Sequence, residues 1–166
     1  MPHEHLQGTG PVKPPELLAP AGSPEALAAA VAAGADAVYL AGRRFGARHY
    51  AANFSDEELR SAVDYAHLRG VRVYVTVNTL VRDAELPDVA RYLLWLYETG
   101  ADAVLVQDAG VASLAREVVP DLPLHASTQM TVHNREGVAR AAREGLSRVV
   151  LAREVTLAEI EDIAEA

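Results

Sequence analysis

Short apolar runs alternate with amphipathic segments along this chain, and that alternation limits the folds it can adopt. Six runs have strand length, and several are rich in valine, leucine or tyrosine. They cover residues 17–21, 37–41, 71–78, 103–107, 124–128 and 149–152. Parallel strands need a crossover connection, usually a helix, so this order predicts a parallel sheet covered by helices.

The segments between the runs carry apolar residues at helical spacing. These residues are Leu27 and Val31; Leu59, Val63 and Ala66; Val89, Leu93 and Leu96; Val111, Leu114 and Val118; and Leu157 and Ile160. An alanine-rich segment over residues 134–144 completes the set. Ser23, Ser55 and Thr156 have the type and spacing of helix N-caps. The predicted helix ends are marked by Gly34, Gly70, Gly100 and Gly145. These signals predict six helices.

A five-residue repeat indicates how strand and helix are joined. Gly34-Ala-Asp-Ala-Val38 recurs as Gly100-Ala-Asp-Ala-Val104, each time as a helix end that leads into a strand. The dinucleotide-binding pattern Gly-x-Gly-x-x-Gly is absent after the first strand, which favours a (β/α) barrel over an open doubly wound sheet. A TIM-type barrel needs eight units in about 250 residues. Residues 16–166 therefore predict an incomplete α/β barrel of about six of the eight βα units.

Composition excludes several other classes of protein. The chain has 166 residues and no cysteine, so it holds no disulfide, thiolate metal site or cysteine nucleophile of its own. Its net charge of −8 disfavours contact with a phosphate backbone unless the basic residues are gathered in one place. Residues 1–15 are rich in proline and predict a flexible leader, on which His3 and His5 lack the fixed geometry of a metal site. With neither a secretory signal nor an apolar run of bilayer length, we expect a cytoplasmic protein without membrane contact.

In a barrel of this type the functional groups lie at the C-terminal ends of the strands and on the loops that follow. In the third strand the valines should face the helices, while Tyr74, Thr76 and Asn78 point into the barrel, with Asn78 at its mouth. The corresponding candidates on later strands are Gln107 and Asp108; Ser127, Thr128 and Gln129; and Arg153 and Glu154.

Some of these candidates have a second interpretation. Asp108, like Asn134, is equally well explained as a helix N-cap. Arg153 and Glu154 are predicted to be strand neighbours that point to opposite faces, with Arg153 at the mouth, where its guanidinium can clamp a carboxylate or phosphate.

The loop at residues 42–54 is a local cationic island in an acidic chain. One interpretation is an anion or nucleic-acid contact, with Arg48 for charge, Phe45 or Tyr50 for stacking, and Asn53 as a further substrate contact. The other is a solvated loop whose aromatic residues cover the barrel rim.

No catalytic residue can be assigned from motifs. His125 and Ser127 share a strand face with their Cα atoms about 7 Å apart, which is unfavourable for a nucleophile and base pair. We interpret His125 as a barrel-filling residue.

Seven motifs lie in order along the chain, mainly at the strand ends. They are Glu16-Leu-Leu-Ala-Pro-Ala-Gly22, Gly34-Ala-Asp-Ala-Val-Tyr-Leu40, Phe45-Gly46, Asn53-Phe54, Val73-Tyr-Val-Thr-Val-Asn78, Ser127-Thr-Gln129 and Val150-Leu-Ala-Arg-Glu154. Together they resemble the N-terminal part of the peptidase U32 family, the collagenase-like proteases, from Glu16 to the end of the chain.

The resemblance implies two different activities. Members are named for protease activity, whereas several relatives act in hydroxylation of tRNA, rRNA or ubiquinone precursors, in some cases with an iron–sulfur cluster and prephenate as the oxygen source. The family's cysteine-bearing signature would lie beyond Ala166. The resemblance therefore implies that any cluster belongs to a full-length protein and that the isolated segment is inactive.

The ligand implied by the resemblance is a small anionic, prephenate-like molecule or an RNA loop, with Arg48 and Arg153 as clamps. The alternative is a non-catalytic substrate-binding or assembly module, completed by a partner or a second copy of the chain. An ordinary phosphate-binding barrel is a third possibility.

Overall fold

The computed structural model describes residues 14–47 and 53–165. Its strands are β1 (Leu18–Pro20), β2 (Ala37–Leu40), β3 (Arg72–Val77), β4 (Ala103–Val106), β5 (Leu124–Ala126) and β6 (Arg148–Val149). Its helices are α1 (Pro24–Ala32), α2 (Asp56–His67), α3 (Leu86–Thr99), α4 (Ala109–Val118), α5 (Arg135–Arg143) and α6 (Leu157–Ala164). Strands and helices alternate along the chain. The strands form one sheet in sequence order, and every neighbouring pair is parallel.

The sheet is curled rather than flat. Five strand spacings would separate β1 and β6 by about 24 Å in a flat sheet. Instead, the carboxylate of Glu16, two residues before β1, accepts a hydrogen bond from Arg148 at the start of β6. The prediction of an incomplete (β/α) barrel is therefore confirmed.

The two faces of the sheet carry different cores. Val73, Val75 and Val77 of β3 are buried against the helices together with the apolar faces of α2, α3 and α4. On the concave face, Tyr74 of β3 packs with Ala37, Ala103 and Leu105 in a second, smaller cluster inside the barrel. The predicted facing of the third strand is confirmed.

The predicted helix starts at Ser23, Ser55 and Thr156 and the predicted helix end at Gly100 are also confirmed. Ser55 and Thr156 form capping boxes at the starts of α2 and α6, and the Ser23 side chain accepts from a backbone N–H at the start of α1. Gly100 ends α3 in the left-handed region at φ 92°, a conformation that side chains with a Cβ adopt at a cost.

The aspartate of the five-residue repeat has a role that the sequence did not reveal. Asp36 Oδ2 accepts from the backbone N–H of Leu17 beside β1, and Asp102 Oδ2 accepts from that of Val73 in β3, both at 2.7 Å. Each carboxylate precedes its own strand and ties down the start of the neighbouring one. The repeat is therefore a strand-pairing device as well as a helix terminator.

Two strands end earlier than predicted. β5 stops at Ala126, because Ser127 caps a one-turn 3₁₀ helix over Thr128–Met130. β6 contains Arg148 and Val149 only, so residues 150–152 lie beyond it. The prediction that Arg153 and Glu154 are strand neighbours is wrong, since both lie exposed in a turn.

Within residues 14–47 and 53–165, no helix has the length and apolarity needed to cross a bilayer. The predicted leader, residues 1–15, falls almost entirely outside the described part of the chain.

Candidate functional site at the barrel mouth

A cavity of about 420 Å³ opens on the concave face of the sheet at the C-terminal ends of the strands. We call it the mouth cavity. Its apolar wall includes Leu18, Tyr39, Leu105 and Val150, which come from opposite sides of the curled sheet. A concave, mainly apolar space with a few polar groups is the usual form of a small-molecule site.

The mouth cavity brings together five of the predicted site residues. They are Asn53, Asn78, Thr128, Gln129 and Arg153. Thr76 and Ser127 line the same space, and both are buried. The cavity wall therefore contains amides, hydroxyls and one guanidinium.

Asn78 links the third strand to two other parts of the mouth. Its Oδ1 accepts from the backbone N–H of Ala47 at 3.0 Å, and its Nδ2 donates to Ser127 Oγ at 3.2 Å. The first bond ties the loop after β2 to β3, and the second ties β3 to the turn after β5. Asn78 is thus a structural centre of the mouth as well as part of its wall.

Three predicted site residues lie outside the lining of the mouth cavity. Gln107 and Glu154 do not line it, and Asp108 is the N-cap of α4. Asp108 Oδ1 accepts from Gly110 N–H, while its Oδ2 accepts from Val81 N–H in the loop after β3. The capping interpretation of Asp108 is confirmed, and Asn134 caps α5 in the same way.

The cationic island lies partly outside the described residues, and Arg48 and Tyr50 fall there. In its described part, Arg44 forms an ion pair with Asp56 at 2.6 Å and lies over the Tyr92 ring. Phe45 packs against the same ring with 5.8 Å between centroids. Phe45 adopts a left-handed φ of 57°, and its carbonyl accepts from Thr79 Oγ1. These contacts hold the start of the island against α3.

His125 and Ser127 have separate partners in the structure. Within the described residues no hydrogen bond joins them, and the His125 ring packs edge-on against Tyr74 with 4.8 Å between centroids. Burial lowers the pKa of His125 to about 4, and the nearby Arg148 charge adds to this effect. His125 fills the barrel as a neutral imidazole.

At the opposite end of the barrel interior, charged side chains form what we call the floor cluster. The Glu16 carboxylate forms ion pairs with Arg72 of β3 and Arg148 of β6. The Tyr74 hydroxyl donates to the same carboxylate at 3.0 and 3.1 Å. Burial by itself would raise the pKa of Glu16, but the hydrogen bonds from Arg148 and Tyr74 and the arginine charges bring it below its ordinary value.

Sequence reasoning missed the floor cluster entirely. In the sequence Glu16 stands only as the first residue of a motif, and no pattern assigns a role to Arg72 or Arg148. The one available signal was the alternation along β3, which places Arg72 on the same face as Tyr74.

Comparison with known proteins shows the family to which this chain belongs. Residues 22–166 match peptidase family U32. This match covers most of the chain. The chain belongs to peptidase family U32. Its resemblance to that family is therefore confirmed.

Two curated proteins are similar to this chain over almost its whole length. The tRNA hydroxylation protein P1 of Bacillus subtilis is 39% identical over 153 residues, which are 92% of this chain and 36% of that protein. The 23S rRNA 5-hydroxycytidine C2501 synthase of Escherichia coli is 41% identical over 151 residues, 91% of this chain and 22% of that protein. The chain thus spans about a third or less of these two relatives.

A solved structure described as the U32 peptidase Mk0906 has the same fold. It aligns with a TM-score of 0.76 and 19% identity, covering 98% of this chain and 68% of that one. At this level of identity the likeness extends to the fold alone.

The residues of this chain do not fit an iron–sulfur cluster. Such clusters are held by cysteine thiolates, and the chain has none. Across residues 14–47 and 53–165, no group of three histidine or acidic side chains is placed to hold a metal ion. The mouth cavity offers amides, hydroxyls and a guanidinium, which are groups that bind an organic anion.

Proposed function

We propose that this chain is the N-terminal barrel portion of a protein that acts in RNA hydroxylation, and that its mouth cavity binds a small anionic organic molecule. The similarity to one tRNA and one rRNA hydroxylation protein at about 40% identity supports the first part. The observation that carries the second part is the mouth cavity itself, where Arg153 stands beside hydroxyl and amide groups above an apolar wall.

The division of the cavity wall suits an acid with a compact apolar body. A guanidinium pairs with a carboxylate through charge-assisted hydrogen bonds, whereas the apolar wall excludes water from the rest of the molecule. A prephenate-like acid has this form. In this proposal any cluster chemistry belongs to parts of the longer protein that contain cysteine, and this chain supplies the pocket that orients the acid.

A chimera tests the RNA assignment. Residues 22–166 replace the matching segment of the Bacillus subtilis tRNA hydroxylation protein P1, in cells that lack tRNA hydroxylation. We expect hydroxylated tRNA nucleosides to return, as measured by mass spectrometry. The variant Asn78→Ala in the chimera should reduce them at least about tenfold, because it unties both the loop after β2 and the turn after β5 from β3.

The matched control is Glu161→Gln on the exposed surface of α6, which should leave hydroxylation unchanged. Immunoblotting shows whether each chimera accumulates to the level of the parent protein. A chimera that accumulates normally but yields no hydroxylated nucleoside contradicts the RNA assignment. A calorimetric titration of the 166-residue chain with prephenate tests the ligand separately.

A second candidate is an assembly module without catalysis. Its support is the incomplete barrel: among the described residues β1 and β6 each pair on one side only, and Leu157 of α6 is 80% exposed. Exposed strand edges and apolar helix faces are common sites of association. Light scattering over a concentration series decides the matter, because a stable, monodisperse monomer contradicts this candidate.

A further inference from the structure

The hydrogen bonds around Ser127 determine which way its hydroxyl proton points. Ser127 is only 2% exposed, yet it lines the mouth cavity. Its backbone is fixed on both sides, since its N–H donates to Val106 O at 2.8 Å and its carbonyl accepts from Met130 N–H at 2.9 Å. The side chain therefore has little freedom to change its partners.

Both groups that contact Ser127 Oγ are donors. Gln129 N–H is a backbone donor and lies 3.4 Å away. The Asn78 amide presents Nδ2 at 3.2 Å, and its orientation is settled by its other end. The oxygen of that amide must face Ala47 N–H, which can only donate, so Nδ2 must face the serine.

A hydroxyl oxygen has two lone pairs and one proton. With both lone pairs of Ser127 used by Asn78 and Gln129, the proton is left to donate. Among the hydrogen bonds of residues 14–47 and 53–165, none has Ser127 Oγ as the donor. A buried donor without a partner is costly, and the space open to this one is the mouth cavity.

We propose that Ser127 is an obligate hydrogen-bond donor in the mouth cavity, which makes it the residue that selects ligands presenting an oxygen acceptor on a compact apolar body. This inference rests on the use of the mouth cavity as the binding site under the proposed function. Asn78 and Gln129 are positioning residues in this arrangement, because they act on the ligand through the serine. Arg153 adds attraction for acceptors that carry a negative charge.

Three small probes with the same apolar ring distinguish these contributions. Benzoate is an anionic acceptor, acetophenone is a neutral acceptor, and benzylammonium is a donor only. Each is titrated into the ¹⁵N-labelled 166-residue chain while the backbone amide signals of Ser127 and Gln129 are followed. We expect benzoate and acetophenone to shift both amides to saturation and benzylammonium to leave them unmoved.

The variant Ser127→Ala removes the proposed donor. We expect it to lower the affinity for benzoate by about tenfold and the affinity for acetophenone by about fivefold. These are the usual effects of losing a hydrogen bond to a charged and to a neutral acceptor. Ser113→Ala on the exposed face of α4 is the matched control and should bind both probes as the parent chain does. Arg153→Gln should lower the affinity for benzoate and leave the affinity for acetophenone unchanged.

The variant Asn78→Asp tests the direction of the proton while keeping the hydroxyl in place. One carboxylate oxygen still accepts from Ala47 N–H, and the other now accepts from Ser127, which turns the proton away from the cavity. Acetophenone carries no charge, so the new carboxylate does not repel it. We expect the affinity for acetophenone to fall as much as it does in Ser127→Ala. A role of Ser127 that is purely structural would not produce this loss.

Four results would overturn the proposal: unchanged binding in Ser127→Ala, unchanged acetophenone binding in Asn78→Asp, benzylammonium binding at the same amides with equal affinity, or no shift with any probe. If Ser127→Ala fails to fold, the Asn78→Asp variant and the probe selectivity of the parent chain still decide. These binding measurements do not involve RNA. They therefore test the role of Ser127 even if the chimera fails to restore hydroxylation.

Discussion

The two ends of the barrel interior contain similar polar side chains but satisfy them differently. In the floor cluster, Glu16 is surrounded by two arginines and a tyrosine hydroxyl, so each charge has a partner within the protein. At the mouth, Arg153 is exposed and the Ser127 proton has no acceptor among the described residues. Polar groups that the protein satisfies by itself stabilise the fold, whereas those left open are available to a ligand.

Acid should destabilise the fold through the buried histidine beside the floor cluster. His125 beside the floor cluster has a pKa of about 4 in the folded chain against 6.5 when unfolded, so the unfolded chain binds more protons between these values. The part of the folding stability that depends on a neutral His125 is fully present above pH 6.5. It is lost as the pH falls towards 4, by up to about 3 kcal/mol in total. Urea unfolding from pH 7 to 4 measures this loss.

His125→Gln should abolish that part of the pH dependence. An unchanged dependence of the unfolding free energy on pH in the variant would disprove the assignment.

The contribution of Glu16 to stability changes over a lower pH range. Its pKa is lowered on folding from an ordinary value of 4.5, so its stabilisation is present above pH 4.5 and disappears below it.

Glu16→Gln should lower the free energy of unfolding by roughly 2 kcal/mol, between the values for exposed and buried ion pairs. An intermediate value is expected because the Glu16 side chain is 14% exposed, whereas Arg72 and Arg148 are 50% and 36% exposed. Glu161→Gln on α6 is the control, with no measurable change. Equal denaturation midpoints for the two variants would show that the floor cluster does not stabilise the fold.

Gly42→Ala should cost about 1–3 kcal/mol, the range for overpacking a filled space. A Cβ at Gly42 would collide with the Tyr92 hydroxyl, which is buried and has no hydrogen-bond partner among the described residues. Tyr92→Phe should be neutral or slightly stabilising, because it removes that orphaned hydroxyl.

The double variant separates this collision from a general loss of backbone freedom. In the Tyr92→Phe background, Gly42→Ala should cost clearly less than it does alone. Additive effects of the two substitutions in thermal unfolding would exclude the collision. The loop after β2 would then owe its stability to other contacts.

Arg153→Gln should change the free energy of unfolding by less than about 0.5 kcal/mol, the smallest effect in this set. The side chain is exposed in a turn and belongs to no ion pair among the described residues. A loss as large as that for Glu16→Gln would mean that the mouth is built for stability too, and the contrast between the two ends would disappear.

The sequence predicted the features that depend on near neighbours. Each apolar run overlaps a strand, and the N-caps at Ser55 and Thr156 and the glycine at position 100 appear where predicted, because all of these are local signals. The strand ends after Ala126 and Val149 were less accurate, and after Ala126 this is because the side-chain cap of Ser127 replaced the sheet ladder. Thr131 adopts a left-handed φ of 56°, and its residue type did not predict the turn at this position.

The site was harder to predict because its contacts join distant segments. Asn78 and Ser127 are 49 residues apart, and Glu16 and Arg148 are 132 apart. Alternation along a strand indicates which face a side chain occupies, but not which partner it meets across the barrel. The sequence therefore identified the mouth residues as a group and missed both the direction of the Ser127 proton and the floor cluster.

The long reach of Glu16 has a consequence for the order of folding. Glu16 precedes β1, and its carboxylate lies in the barrel interior. One of the arginines that neutralise this carboxylate, Arg148, is synthesised 132 residues later. Until Arg148 has left the ribosome, the nascent barrel carries a partly compensated acid at its base, and such long-range contacts form late. We expect the newly made chain to resist proteolysis fully only after β6 has emerged.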